Sequence, residues 1–268
     1  MKRINEIEEI LIEYLKSLNN IESDINLENR LAIRALMNIS DPTELSDEYY
    51  KYQDEYLQTL LKDENVVDSK KINVLNNKMC IYDGDVTLIK ADAIVNCANH
   101  TLCGCKTPLH SCLDNRVHAF SGLQLRRDCL KISSKKEIKS GSCYPTKGYN
   151  LPCKYVFHVV LDNLEDEITD SNKETLKNCY LSALNEADNY NCKYIVFPQM
   201  EFDGDNYPVS VEAEIAYKTV KEYLDNNKDS EIEKVIFCVN NSYAYSIYEK
   251  VLLNKGMLNK YKLNKKFF

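Results

Sequence analysis

Tyr194-Ile195-Val196-Phe197 is an apolar run with no alternating polar positions, and Ile94-Val95 within Ala93-Ile94-Val95-Asn96-Cys97-Ala98 behaves the same way. A strand with one wet face alternates, so runs of this kind belong to a sheet covered on both faces. Residues 79–82, 155–160 and 235–239 read as three further short strands. Residues 112–132, 172–190, 209–224 and 242–253 carry helical periodicity between them. Strands alternating with helices in this order predict an α/β fold, a three-layer α/β/α sandwich. Ligands of such sheets bind beyond the carboxyl ends of the strands, so chemistry is sought in those loops.

Toward the N-terminus the pattern becomes wholly helical. Ile4, Ile7, Leu11, Tyr14, Leu15 and Leu18 recur at three- and four-residue spacing on one helix face. Leu27, Leu31, Arg34, Ala35 and Asn38 mark a second helix, with Leu31, Ala35 and Leu36 as its expected buried side and Asp41-Pro42 as its stop. Ser46 caps a third through Tyr49, Tyr50, Tyr56, Leu57, Leu60 and Leu61, with Asp47 and Glu48 in the first turn, where the helix dipole favours carboxylates. The charged stretch 63–71 marks the boundary between a helical extension over 1–70 and an α/β domain over 71–268. The extension shows no catalytic spacing, and its tyrosines read as packing.

Of 268 residues, 44% are hydrophobic and 28% charged, the balance of a water-soluble globule able to close a core. Charges interrupt every apolar run well short of the roughly 20 residues that span a bilayer, which argues against a membrane protein. Lysine plus arginine is 34 against 41 acidic residues, a net charge of −7. That sign disfavours general nucleic-acid binding but permits one anionic ligand in a locally built site. The cysteine count, 11, is odd, and Met1-Lys2-Arg3-Ile4 does not begin an apolar signal segment. Both features point to a reducing cytoplasm, where thiols serve as packing, metal ligands or nucleophiles.

Cys97, His100, Cys103, Cys105, His110, Cys112 and His118 crowd into one stretch, which holds three of the 4 histidines. Its sharpest element is Gly104-Cys105-Lys106-Thr107-Pro108-Leu109-His110-Ser111-Cys112. This spacing can bring two thiolates and one imidazole onto one ion, with Pro108 turning the segment back and Cys112 opening the next helix. Zinc suits the mixture, taking sulfur at ~2.3 Å and imidazole nitrogen at ~2.0–2.1 Å. Three protein ligands leave a fourth tetrahedral position, the pattern of a catalytic site, whereas Cys103 can close the set into a structural one. The plainer alternative is a loop rich in buried cysteine. Gly84-Asp85-Val86-Thr87 follows one strand and Asn96-Cys97-Ala98-Asn99 ends the next. Asp85 can accept from an exocyclic amine, and the Asn99 amide can orient a hydroxyl. His118 and His158 read as hydrogen-bonded packing residues. Cys129, Cys153, Cys179, Cys192 and Cys238 read as core. Asp203-Gly204-Asp205-Asn206 lacks the length and closing glutamate of an EF-hand and reads as an exposed turn.

Gly84-Asp85-Val86-Thr87, Ala91-Asp92-Ala93-Ile94-Val95-Asn96-Cys97-Ala98-Asn99 and Gly148-Tyr149-Asn150-Leu151-Pro152-Cys153-Lys154-Tyr155-Val156-Phe157-His158 together resemble a macrodomain. Leu102-Cys103-Gly104-Cys105 through Pro108, His110, Cys112, Asp114-Asn115, His118 and Gly122 is similar to the zinc-dependent microbial branch. Arg34-Ala35-Leu36-Met37-Asn38-Ile39 and Gln53-Asp54-Glu55-Tyr56-Leu57-Gln58 resemble that branch's helical extension, so the likeness covers nearly the whole chain. The resemblance implies a mixed central sheet, a site for ADP-ribose, and glycosidase-type hydrolysis of ADP-ribose from mono-ADP-ribosylated proteins. On it, Asp85 would meet the adenine amine, the Val86 backbone N–H a ring nitrogen, and Asn99 the distal ribose. Cys105, His110 and Cys112 would bind zinc, with Cys105 also bordering the ligand. The zinc would polarise the distal ribose region or activate a water, since no other acid–base pair stands out in these loops. Glu201, Phe202, Asp203, Gly204 and Asp205 would occupy the second phosphate loop. The implied partner is an ADP-ribosylated protein, a lipoyl-carrier protein modified by a sirtuin-like transferase.

Two stretches depart from the family pattern. Its second phosphate loop reads Ser-Thr-Gly, an aliphatic residue, an aromatic, then Gly. Between Pro198 and Pro208 this chain has Gln199-Met200-Glu201-Phe202-Asp203-Gly204-Asp205-Asn206-Tyr207, the same length with added carboxylates. Leu161-Asp162 replaces the Gly-Pro expected after His158-Val159-Val160. Two unit charges 4 Å apart repel by ~4 kcal/mol at an effective dielectric near 20. A second reading is therefore a catalytically weak or inactive zinc-containing module that binds a nucleotide-like ligand.

Overall fold

The apolar runs form the middle of the sheet. The structure, a computed structural model, describes residues 2–162, 168–202 and 205–253, apart from the side chains of Lys2, Glu201, Phe202, Asp205 and Asn206. Its strands are β1 (Val67–Asp68), β2 (Val74–Asn76), β3 (Met79–Asp83), β4 (Ile89–Ala98), β5 (Cys143–Lys147), β6 (Cys153–Val160), β7 (Tyr194–Pro198), β8 (Glu201–Phe202), β9 (Asp205–Asn206) and β10 (Lys234–Val239). The main sheet runs in the order β2-β3-β10-β7-β4-β6-β5, and β1 pairs with the start of β4. The strands β3, β10, β7, β4 and β6 are mutually parallel, and the outer β2 and β5 are antiparallel, so the sheet is mixed. Strands β8 and β9 form a separate small hairpin.

Successive strand residues face opposite sides. Val95, Phe157, Ile195, Phe197 and Phe237 pack against helices α6 (Asp170–Asn189), α7 (Val209–Asn226) and α8 (Ser242–Leu252). Ile94, Val156, Val196 and Ile236 pack against α4 (Leu113–Ser121) and α5 (Leu123–Ser133). Two helical layers around a mixed sheet make the three-layer sandwich. The N-terminal helices α1 (Lys2–Leu18), α2 (Asn29–Ile39) and α3 (Asp47–Lys62) share a third core, including Ile7, Leu11, Leu15, Ile33 and Tyr49, which Leu123 joins from α5. Ser46 caps α3, its Oγ accepting from the Tyr49 N–H at 3.1 Å.

Three local expectations change. The span 112–132 is two helices, broken at Gly122, whose φ of 98° is left-handed. A Cβ there would lie 2.4 Å from Gln53 Nε2. Gln53 reaches in from α3 to accept the Leu123 N–H at 2.8 Å, satisfying an otherwise unpaired donor at the start of α5. The buried side of α2 is Ala32, Ile33, Leu36 and Met37, whereas Leu31 is 42% exposed and Ala35 only half-buried. Leu27 precedes this helix, and α2 packs against both α1 and α4, so a single stripe misplaced its face. Strand β5 escaped notice because Pro145 interrupts it, which an outer strand tolerates. No helix among the described residues is long and apolar enough to cross a membrane.

Candidate active site

Parallel strands bring their carboxyl ends to one edge, where Gly84-Asp85 follows β3, Asn99 follows β4, Gln199 follows β7 and Asn240 follows β10. A cleft of about 370 Å³ opens there, walled by Gly84, Asp85, Val86, Pro198, Gln199 and Asn240. Ser111 and Leu113, the residues flanking Cys112, line the same cleft. The Gly84–Val86 turn and the residues flanking Cys112 therefore line one cavity, while Asn99, Cys105, His110 and Cys112 are not among its wall residues.

Asp85 caps the short turn Val86–Leu88, its Oδ1 accepting from the Thr87 N–H at 2.9 Å and the Thr87 hydroxyl at 2.7 Å. Its Oδ2 pairs with Arg116 of α4, a partner the sequence did not disclose. Val86 is buried in that turn. Asn99 Oδ1 accepts from Thr101 N at 2.9 Å and Thr101 Oγ1 at 2.6 Å, so any ligand contact of its amide falls to Nδ2.

The segment after β4 is an irregular loop with left-handed backbone at Leu102 (φ 58°), Gly104 (φ 78°) and Leu109 (φ 59°). Glycine is required at 104, because a Cβ would stand 2.7 Å from the His118 ring. The ligand atoms of Cys105, His110 and Cys112 lie within 4.8 Å of one another, and Cys105 Sγ is 3.5 Å from His110 Nδ1. The sulfur–nitrogen edge of a zinc tetrahedron is about 3.5 Å, so both the geometry and the donor chemistry fit that ion. Burial pushes the Cys112 thiol up to about 12, against the opposing pull of the Asn115 backbone N–H. Cys103 stands outside this trio, its thiol donating to the Thr101 carbonyl at 3.0 Å. Arg34 and Asn38, which the sequence places on a helix stripe, and Asn115, which it places only in the family motif, hold the loop, a role the sequence does not assign to any of them. The available signal was the polar pair Arg34 and Asn38 on the packed stripe of a helix.

A second close group, His118, Cys129 and His158, is fully buried. Asn96 Nδ2 donates to Asp114 Oδ1 at 2.8 Å and lies 3.1 Å from His158 Nδ1, which assigns the ring proton to Nε2. That proton faces Thr146 Oγ1 at 3.0 Å and Cys129 at 3.6 Å. His158 is thus a hydrogen-bonded packing residue under β4 and β6. His118 is buried packing with no hydrogen-bond partner on either ring nitrogen among the described residues, its Nε2 only approaching Asp114 Oδ1 at 3.5 Å. Burial holds His158 down to about 3. Burial, then Arg126 and His158, drive His118 well below the usual histidine range.

Glu201 pairs with Asn206 and Phe202 with Asp205 across the β8–β9 hairpin, while Asp203, Gly204 and the side chains of Glu201, Phe202 and Asp205 lie outside the described residues. The hairpin's base is anchored by buried Glu212, whose Oε1 accepts the Met200 N–H at 2.8 Å. The unusual Asp162 has a structural use: it accepts from Ser140 and, at 2.8 Å, from Thr175 Oγ1.

Residues 95–216 match the Macro domain family. A protein-ADP-ribose hydrolase of Treponema medium is 33% identical over 253 residues, 90% of this chain and 96% of the relative. A protein-ADP-ribose hydrolase of Staphylococcus aureus is 33% identical over 223 residues, 82% of this chain and 83% of its own. The Oceanobacillus iheyensis macrodomain solved with ADP superposes with a TM-score of 0.58 at 27% identity, over 67% of this chain and 92% of that one. The superposition extends the likeness to the fold, a mixed sheet between helical layers. This chain belongs to the macrodomain family.

Proposed function

We propose that this chain is a hydrolase that removes ADP-ribose from modified proteins, with zinc as its metal. The observation that carries the reading is the single cleft bounded at one end by Asp85 and Val86 and at the other by the residues flanking Cys112, whose thiol converges with Cys105 and His110. The length over which the chain matches the two named hydrolases supports the same reading. Asp85 receives the adenine amine, with its carboxylate held in place by Thr87. The Asn99 amide, fixed through Thr101, orients the distal ribose. Cys105, His110 and Cys112 would hold the metal, which would supply Lewis acidity toward the distal ribose. The finer expectations belong to this proposal too: a lipoyl-carrier protein modified by a sirtuin-like transferase as substrate, and action in the cytoplasm.

The direct test incubates zinc-loaded protein with a protein mono-ADP-ribosylated on acidic side chains and measures released ADP-ribose. Release is expected, with loss on chelation and recovery on adding zinc. No release under conditions where a related hydrolase succeeds would defeat the reading. Calorimetry then identifies the binding-module alternative, which predicts no preference for ADP-ribose over adenosine.

A further inference from the structure

We infer that Arg34 and Asn38 of α2 are positioning residues of the metal loop, so that the N-terminal helices are a working part of the active site. The inference rests on the reading that Cys105, His110 and Cys112 hold a metal.

The loop owes only part of its shape to its own hydrogen bonds, which link Asn99 with Thr101 and Leu102, and Thr107 with His110. It runs irregularly from β4 to α4, and two of its non-glycine residues, Leu102 and Leu109, have left-handed backbone that costs energy unless the surroundings enforce it. At Leu109 the enforcing group comes from α2, whereas the Leu102 N–H is held within the loop by the Asn99 carbonyl at 3.0 Å. Asn38 Oδ1 accepts the Leu109 N–H at 3.0 Å, directly at one strained residue. Arg34 Nη2 donates to the carbonyl of His110 at 2.9 Å and to Asn115 Oδ1 at 2.8 Å, with Nε 3.3 Å from the same oxygen. Asn115 in turn donates through Nδ2 to the Thr107 carbonyl at 3.0 Å. The peptide after His110 is thereby held from α2 through its carbonyl, and the peptide before Leu109 through its N–H. The His110 N–H is bonded to the Thr107 carbonyl at 3.2 Å, whose oxygen Asn115 also holds, and the direction of the imidazole follows from these restraints.

Arg34 and Asn38 stand one turn apart on α2, so a single helix face delivers both contacts. The guanidinium is half-buried and sits 5.9 Å over the Phe120 ring, which limits its freedom further. A planar fork serving a carbonyl and an amide oxygen together is a task lysine cannot copy. The far end of α2 is itself pinned to the sandwich by buried Arg126. The path of restraint thus runs from α5, through the end of α2, to the backbone of a metal ligand.

The test uses the full chain and two readouts: zinc affinity by competition with a chromophoric chelator, and the visible spectrum of the cobalt(II)-substituted protein. Arg34→Met keeps the packing on Phe120 but removes the clamp. It is expected to weaken zinc binding by ~10–100-fold, the range found when groups that orient metal ligands are removed. It should also alter the cobalt ligand-field bands while leaving the metal-free circular dichroism unchanged. Arg34→Lys should recover only part of the affinity. Arg30→Met, one turn earlier on α2, should leave both readouts unchanged. If Arg34→Met does not fold, Asn38→Leu removes only the Leu109 acceptor and must still shift the cobalt spectrum. A folded Arg34→Met or Asn38→Leu chain with unchanged affinity and spectrum overturns the inference, as does a wild-type chain that binds no zinc. If the wild type binds zinc but releases no ADP-ribose, the hydrolase proposal fails, while a weakened Arg34→Met chain still supports the clamp.

Discussion

Arg126 Nη1 lies 2.8 Å from the carbonyl oxygen of Met37, 89 residues earlier in the chain. The same nitrogen also donates to Asn38 O at 2.8 Å and Ser40 O at 3.0 Å. These are the carbonyls a helix leaves unpaired at its C-terminus, where its dipole is negative. A guanidinium only 2% exposed is tolerated because the nearby Asp114 carboxylate and this helix end together act as its counter-charge.

Replacing Arg126 with methionine leaves those carbonyls buried without a donor. Hydrogen bonds to charged groups contribute ~1.5–3 kcal/mol each, with overlap among bonds sharing one nitrogen. A loss of about 3 kcal/mol in urea unfolding is expected, together with faster proteolysis within residues 2–62. A loss below ~1 kcal/mol would mean that water serves the end of α2 equally well.

Gly104→Ala tests the loop from within. Alanine at φ 78° is strained, and its Cβ would press on a buried ring that has no room to retreat. The variant should lose about 2 kcal/mol of stability and retain zinc less well than the parent. Thermal melts with and without zinc check both effects. Equal melting temperatures would show that the loop relaxes away from His118.

How much of this was readable beforehand depends on the distance over which each feature is determined. The strands at 94–95 and 194–197 announced themselves because burial on both faces demands apolar residues at consecutive positions. The convergence of Cys105, His110 and Cys112 was readable because three such side chains within eight residues need little tertiary information to meet. The break at Gly122 was not readable, since it exists to admit Gln53 from another helix. The motif Gln53-Asp54 resembled the family extension without explaining itself. In the structure, Asp54 Oδ1 accepts from Gln124 Nε2 at 2.8 Å and Asn150 Nδ2 at 2.7 Å, so the motif is a docking surface. Arg34 was placed on a helix stripe, but its target lies 76 residues away, a span that no periodicity encodes.

Asp85→Ala separates the two ends of the cleft. The carboxylate is lost while the metal residues are untouched, so ADP-ribose affinity should fall at least ~10-fold, the scale of one charge-assisted hydrogen bond. Ribose 5-phosphate, which lacks adenine, should bind as before. Stability should drop by ~1 kcal/mol because the Thr87 cap disappears. Unchanged ADP-ribose binding by calorimetry would remove Asp85 from the ligand site.

Acid stability follows from the buried histidines. His118 and His158 are neutral in the folded chain, whereas an unfolded histidine titrates near ~6.5. Below that pH the unfolded chain binds more protons, so stability falls as pH falls from ~6.5 toward the depressed folded values. Asp114 lies 3.5 Å from His118 Nε2 and would favour its charge, but burial, Arg126 and the neighbouring ring outweigh it. Two such groups give a slope approaching ~2.7 kcal/mol per pH unit well below pH 6.5, and ~3 kcal/mol lost between pH 6.5 and 5. In His158→Gln the slope should fall to that of one proton. Urea unfolding of metal-free protein at half-unit pH steps measures it. A flat profile from pH 6.5 to 5 in the wild type would mean that both rings are protonated in the folded core, and a one-proton slope that one of them is.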